Sequence, residues 1–280
     1  MTISINSGND PIYTAAFDDL VQEVFKFSFK PWLERNLWDQ RYESHSIMED
    51  GKMLANVCIF KTDMLVRGQP VRAHQFGAVA TRASQRGKGL SRMLIEHVLD
   101  MYPNVPSFLG ANDTVTEFYT RFGFRPVQTY RPVMDIAIDN IASEKCTIDD
   151  DIVQKALYGR RAYSSLVDSV NTETVQICQM LTNPKYKNHI YFLAKCGVVI
   201  VARQVGETLF LSDVICGDGS ITFDDIAKEL PFSGVIRVEF EFCPDWLGVT
   251  TKWEPLNEPY FICGDWNLPE YFRFPALSET

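Results

Sequence analysis

Arg86, Gly87, Lys88, Gly89, Leu90 and Ser91 form the segment of this 280-residue chain whose types and spacing best suit chemistry. Two glycines let the backbone approach a ligand with no Cβ in the way. Arg82, Arg86, Lys88 and Arg92 put positive charge around them. An amphipathic stretch follows at once, with Leu90, Met93, Leu94, Val98 and Met101 on one helical face. A loop that opens such a helix presents amides without intrahelical acceptors at the positive end of the dipole. That combination receives a pyrophosphate. Two other phosphate loops fit poorly. A P-loop needs Ser or Thr directly after Gly-Lys, yet Gly89 follows Lys88, and a Rossmann loop needs a third glycine where Arg92 stands.

The elements that must position this loop are legible on either side. Residues 71–81 read as a strand that ends in the small residues Gly77, Ala78, Val79, Ala80 and Thr81. Upstream, Ile12, Ala15, Phe17, Leu20, Val21, Val24 and Phe25 recur at helical spacing, and Pro31 opens or breaks a second helix. Phe17, Phe25, Phe27, Phe29, Trp32 and Trp38 make this region aromatic, either as core or as one wall of a cleft. Strands are predicted at 42–48 and 52–61, with turns at 49–51 and 68–70. Downstream come a strand at 105–111, a short helix at 114–122 ended by Gly123, and a strand region at 126–138. The polar stretch 139–150 marks a domain boundary. Beyond it the pattern predicts helices near 151–158, 172–182 and 221–230, and strands at 189–203, 207–216, 234–242 and 259–264. The order echoes the first half without a residue-level repeat. The whole is an α/β (α+β) chain with domains at 1–140 and 141–280.

Arg86-x-x-Gly89-x-Ser91 resembles the Arg/Gln-x-x-Gly-x-Gly/Ala signature of the GCN5-related N-acetyltransferases, the GNAT family, with serine at the last position. A later segment resembles a second family motif: Asn112-Asp113, then Phe118-Tyr119, then Gly123-Phe124. The likeness spans residues 10–138. Ala83 and Ser84 stand where the family usually has a proline. The extra hairpin near 63–72 is similar to the branch with the "enhanced intracellular survival" aminoglycoside acetyltransferases, which are longer. The resemblance implies a mixed, mostly antiparallel sheet that splays open beside the cofactor strand, flanked by helices. It implies acetyl-CoA (or another acyl-CoA) as cofactor, held by residues 86–91 and by the backbone of Ala78, Val79 and Ala80, with Asn112 touching its arm. It implies an oxyanion donor near the Val79 amide and Tyr119 as the acid for the departing thiolate. Asn112 or Asp113 could instead cap the following helix.

The proton acceptor stays open. His74 has a suitable pKa and lies on the cofactor strand. Glu43, His45 and Asp63 lie on neighbouring strands, and a relayed water or the terminal carboxylate of Thr280 would also serve. His97 reads as structural, and the four histidines lack metal spacing. The corresponding turn of the second half, Cys216-Gly217-Asp218-Gly219-Ser220, has glycines but no basic residue. It suits a degenerate GNAT-like domain that lost its cofactor, or an unrelated α/β domain.

Charge supports the same reading. The first half carries 15 basic against 16 acidic side chains and the second 12 against 20, within a net −9. An acidic second half disfavours nucleic acid and could steer a cationic amine. No apolar run spans a membrane and no secretory leader is evident, and the seven scattered cysteines suit reduced thiols in a cytoplasmic setting. Monomer and homodimer both suit the sequence. The leading reading is an N-acetyltransferase for a small amine, a peptide or an aminoglycoside-like polyamine. The alternative is a non-catalytic acyl-CoA-binding regulatory module.

Overall fold

The computed structural model describes all residues except Met1, Ser7, Asn9, Asp113, Thr114 and Ala142. In chain order the elements are β1 (Ile3–Asn6), α1 (Pro11–Phe25), α2 (Lys30–Leu33), β2 (Tyr42–Glu49), β3 (Lys52–Val66), β4 (Gln69–Thr81), α3 (Leu90–Met101), β5 (Ser107–Gly110), α4 (Thr116–Thr120), β6 (Arg125–Val127) and β7 (Tyr130–Ile138). Then follow α5 (Asp151–Gly159), β8 (Val167–Val170), α6 (Glu173–Thr182), β9 (Ile190–Leu193), β10 (Val198–Val205), β11 (Thr208–Ile215), α7 (Phe223–Ala227), β12 (Val235–Phe240), β13 (Lys252–Pro255) and β14 (Tyr260–Cys263). The predicted elements are present, with two predicted strands each split in two. The unpredicted β1, β8 and β13 are four residues long and too short to carry a period.

Local chemistry explains the entries and exits of the elements around the site. Asp10 caps α1, its carboxylate accepting from the amides of Ile12 and Tyr13, and Pro11 supplies a preset first turn. Tyr13, Phe17, Leu20 and Val21 then face inward. Lys26 ends the helix in the left-handed region. These side chains and Trp32, Trp38 and Tyr42 cover one face of the first sheet, while Leu90, Leu94, Ile95 and Val98 of α3 cover the other.

Two sheets result. The first runs β1-β2-β3-β4-β5-β14-β6, with β8 joined to the far end of β3. The second runs β9-β10-β11-β12-β7-β13. From β2 and from β9 onward the two orders match strand for strand. Neighbours are antiparallel throughout except β4/β5 and β11/β12, which are parallel with a helix between. Each half also sends one strand into the other's sheet: β7 follows β6 but pairs with β12, and β14 follows β13 but lies between β5 and β6. The sheets therefore do not part at the expected boundary of 140/141. Polarity of residues 139–150 marked a connecting segment, whereas strand pairing, which local sequence does not encode, decides which sheet each strand joins.

A chain cut after residue 140 lacks β14, so β5 and β6 lose their shared partner and the α3 core loses Phe261. We expect that fragment to show no cooperative thermal transition by circular dichroism, and co-expression with residues 141–280 to restore one. A sharp melt of the fragment alone would contradict the exchange.

Candidate active site

The site begins where β4 and β5 separate. They pair only at His74–Ser107 and Gln75–Phe108, and β4 continues alone to Thr81. Beyond that point one edge of β4 has lost its parallel neighbour. A β-bulge sits at the same place, with Ala78 and Val79 together opposite the single residue Val57. Ala78 has φ 45°, a left-handed conformation that costs a non-glycine residue roughly 1–2 kcal/mol. A buried relay holds it there. Asn56 Nδ2 donates to the Ala78 carbonyl at 2.9 Å, Asn56 Oδ1 accepts from Ser44 Oγ, and Ser44 Oγ shares a 2.7 Å hydrogen bond with Tyr13 Oη. Because the Arg82 amide donates to Leu54 on β3, strand alternation turns the Thr81 and Val79 amides to the open edge.

The basic turn lies at one end of this gap. Gly87 and Gly89 have φ 79° and 78°, which favours glycine at both. Gly89 is the N-cap of α3 and makes no side-chain cap, so the first-turn amides of the helix lack protein acceptors. Ser91 Oγ lies 2.6 Å from Thr81 Oγ1, tying the helix start to the strand end. Arg86, Gly87, Gly89, Leu90, Ser91 and Arg92 line the cleft. Two of the basic residues do not. Lys88 is exposed and bonds Gln85. Arg82 bonds the Met53 carbonyl and the carboxylates of Asp19 and Glu23, so it braces α1 against β3. Ala80 is buried against α1, whereas Ala78 and Val79 line the cleft.

The cleft encloses about 1150 Å³ and continues past the bulge to the aromatic segment, α6 and the tail. Tyr119 and Asn112 line it, as does Phe118. Tyr119 packs beside Phe118, Phe124 and Phe261, and burial pushes its phenol up to about 12, so it stays protonated. Among the described residues no side-chain cap of α4 is seen, and the Asn112 carbonyl accepts the Val115 amide. Asp113 lies outside the described residues.

His74 is not in the cleft. Its ring packs edge-on to Tyr102 at 4.8 Å, and burial, aided by the charge of Lys61, lowers it to about 4, so it is neutral. Glu43 accepts from His45, Lys61 and Tyr102; burial alone would raise it, but these bonds hold it near 2. Asp63 pairs with Arg72 on the exposed hairpin. None of His74, Glu43, His45 and Asp63 lines the cleft, whereas Thr280, whose carboxylate is the other candidate acceptor, does. Strand alternation sends residues 74 and 76 toward α3.

Glu279 and Thr280 occupy the position opposite the bulge. A Cβ on Gly77 would come within 2.5 Å of Thr280 Oγ1, so a larger residue here would have to displace the tail's last side chain. Gln75 Oε1 accepts the Thr280 amide, and Tyr260 Oη donates to both Glu279 oxygens at 2.8 and 2.7 Å. Burial raises the Glu279 carboxyl to about 8 against the pull of Tyr260 and Arg273. Glu279 was missed in the sequence because no local pattern surrounds it.

The second half has a smaller cavity of about 700 Å³ at its turn, bordered by the acidic Asp218, Asp225 and Glu229 as well as Lys195 and Lys228. β11 carries a comparable bulge at Ser212, but Ser212 Oγ donates to Glu241, which also meets Lys185 and Arg203. Burial would raise Glu241, and Lys185 and Arg273 overcome it and hold its carboxyl low. Tyr163 covers the turn at Gly219, and the five-residue α7 is capped by Thr222 with Asp224 and Asp225 in its first turn. These features repel a diphosphate.

Comparison with known proteins agrees with this geometry. Residues 13–127 match the family model described as an acetyltransferase (GNAT) domain. The whole chain is similar in structure to a probable N-acyltransferase from Enterococcus faecalis V583, with TM-score 0.56 and 12% identity over 94% of this chain and 72% of that one. Eis1 from Mycobacterium abscessus gives TM-score 0.57 and 10% identity over 94% and 73%. A GCN5-related N-acetyltransferase from Anabaena variabilis ATCC 29413 gives 0.54 and 12% over 93% and 72%. These likenesses extend the GNAT-type fold across both sheets. No curated protein matches the sequence. Among the described residues no helix is long and apolar enough to cross a membrane, and no group of three metal-ligating side chains converges.

Two measurements check the site. Arg86→Ala should weaken acetyl-CoA binding in calorimetry at least fivefold, whereas Arg82→Ala should leave affinity within twofold and lower the melting temperature by a few degrees, the response to a loss of about 1 kcal/mol. Equal affinity losses would reverse the roles. Between pH 4.5 and 8 the folded chain keeps a proton on Glu279 that the unfolded chain has released, so this group makes stability fall as pH rises through that window. Urea titrations of Glu279→Gln should show a flatter decline across it than the parent protein.

Proposed function

We propose that this protein transfers an acetyl group, or another acyl group, from acyl-CoA to a primary amine by direct attack. The observation that carries the reading is the convergence on one cleft of an uncapped helix start, a basic glycine turn, a strand edge freed by a bulge, and a protonated phenol. The cofactor fits this donor set. Arg86, Arg92 and the α3 amides would hold the pyrophosphate, and the edge of Ala78–Thr81 would pair with the amide-bearing arm as an added strand does. When bound, the thioester supplies an activated acyl carbon.

The residues of the chain then have separable tasks. The Val79 amide, fixed by the Asn56 bond to the adjacent carbonyl, stabilises negative charge that develops on the acyl oxygen. Glu279, once ionised as the pH reaches about 8, attracts the incoming ammonium and takes a proton from it. The freed amine nitrogen bonds to the acyl carbon, the carbon–sulfur bond breaks, and the products are an amide and a thiol. Tyr119, which lines the same cleft, would serve the departing sulfur. A phenol near 12 gives its proton outright to a thiolate whose thiol lies near 8.5 only uphill, by roughly 5 kcal/mol. Its task is therefore first a hydrogen bond to the thiolate, with the proton completed as the charge settles. We further propose that the second sheet, whose gap is filled by its own side chains, is a degenerate copy that supplies α6 and the tail to the active cleft.

Incubation with acetyl-CoA and a panel of amines, read by thiol release, tests the activity. Tyr119→Phe should lower kcat at least tenfold with an unchanged acetyl-CoA Kd by calorimetry. Unchanged turnover would remove Tyr119 from the mechanism. Tight binding without thiol release across a wide panel would favour a regulatory module.

A further inference from the structure

The part of the cleft beyond the bulge has a definite chemical character. On one side stand Phe25, Phe27 and Phe29, with Trp32 and Tyr42 behind them. Their rings form a continuous series: Phe25 to Phe27 at 6.2 Å, Phe27 to Phe29 at 5.1 Å, and Phe29 to Trp32 at 5.9 Å. α6 adds Val175 and Cys178, which pack in the same cluster as Phe25 and Phe29, and Gln179 and Thr182.

The aromatic turn is built rather than loose. Lys26 takes the left-handed conformation that reverses the chain after α1. The buried Asp18 carboxylate then accepts from Ser28 Oγ, from the Phe29 amide at 2.6 Å and from Gln22 Nε2 at 2.8 Å. This fixes the three phenylalanines before any ligand arrives, so little ordering opposes binding.

Charge in the cleft is equally selective. Among the described residues Glu279 is the only acidic side chain that lines it, and the lining cations are Arg86, Arg92 and Arg121. The acidic excess of the second half therefore does not converge on the site. A polyamine or aminoglycoside places several ammonium groups in its pocket, and each beyond the first would find aromatic faces and the neutral Gln179, Thr182 and Asn183 but no second carboxylate side chain. Desolvating an unpaired charge is strongly unfavourable. A body with one ammonium and one ring would instead stack on the phenylalanine arc and direct its nitrogen to Glu279.

We propose that the acceptor is a primary monoamine carried on an aromatic or branched apolar body, such as an arylalkylamine, and not a polycation. This rests on the acyl-transfer reading above. The test uses the full chain with acetyl-CoA and compares 2-phenylethylamine and tryptamine with spermidine and kanamycin by thiol release. We expect kcat/KM for the arylalkylamines at least tenfold above that for either polyamine. Phe27 is 38% exposed, so Phe27→Glu should fold; it should lower kcat/KM for 2-phenylethylamine at least tenfold while leaving the acetyl-CoA Kd within twofold. A preference for spermidine or kanamycin, no acylation of either class despite acetyl-CoA binding, or an unchanged arylalkylamine rate in Phe27→Glu would each overturn the assignment. No heat with acetyl-CoA would instead defeat the parent reading, and this inference with it.

Discussion

The bulge that sets Ala78 and Val79 opposite Val57 is the constraint on which the site depends. It does two things at once. It bends β4 away from β5, and it shifts the alternation so that Val79 presents its amide to the opening. Neither comes free, because Ala78 sits in a conformation that alanine avoids. The opposing term is a hydrogen bond from Asn56, whose side chain is itself fixed through Ser44 and Tyr13. All three side chains are buried, so a competing conformation would leave polar atoms without partners. The strain is therefore held in place by the first helix, which also carries the aromatic turn at its far end.

The two sheets show what separates an open gap from a closed one. Both have a bulge, a parallel pair and a helix between the members of that pair. In the first, the side chains at the bulge are small and the tail reaches only as far as Gly77. In the second, Glu241 and its cationic partners fill the corresponding space, and the turn above it carries Asp218 in place of arginine or lysine. Topology is shared and chemistry is not, which is why fold alone cannot assign a role to the second half.

Much of this was legible in the sequence. The strand, glycine turn and amphipathic helix around Arg86–Ser91 announced themselves by type and period, because local patterns set them. Tyr119 and Asn112 followed from the likeness of their segment to a family motif, and both line the cleft. The choice between core and cleft wall for the aromatic stretch resolves into both: Trp32 and Tyr42 are buried, while Phe25, Phe27 and Phe29 border the opening. What sequence reading missed depends on pairing over long distances. His74 looked suitable by its ring, yet register turned it toward Tyr102. Arg82 looked like a phosphate ligand by its charge, yet Asp19 and Glu23, some 60 positions away in the chain, claimed it. Glu279 acquires its character only from a tail that folds back on β4.

The reciprocal exchange of β7 and β14 also bears on how the molecule is made. On the ribosome the gap between β5 and β6 waits for a strand that lies some 130 residues downstream. At 5 to 20 residues per second that is an interval of roughly 7 to 27 s. For most of it, until β12 is made, β7 also has no partner to join, and the nascent polypeptide holds several unpaired backbone edges together with the apolar surface that Phe261 and Ile262 later cover. Such edges are templates for pairing between chains. Production of this protein in the cell thus places a demand on chaperones that an undivided domain of the same size would not make.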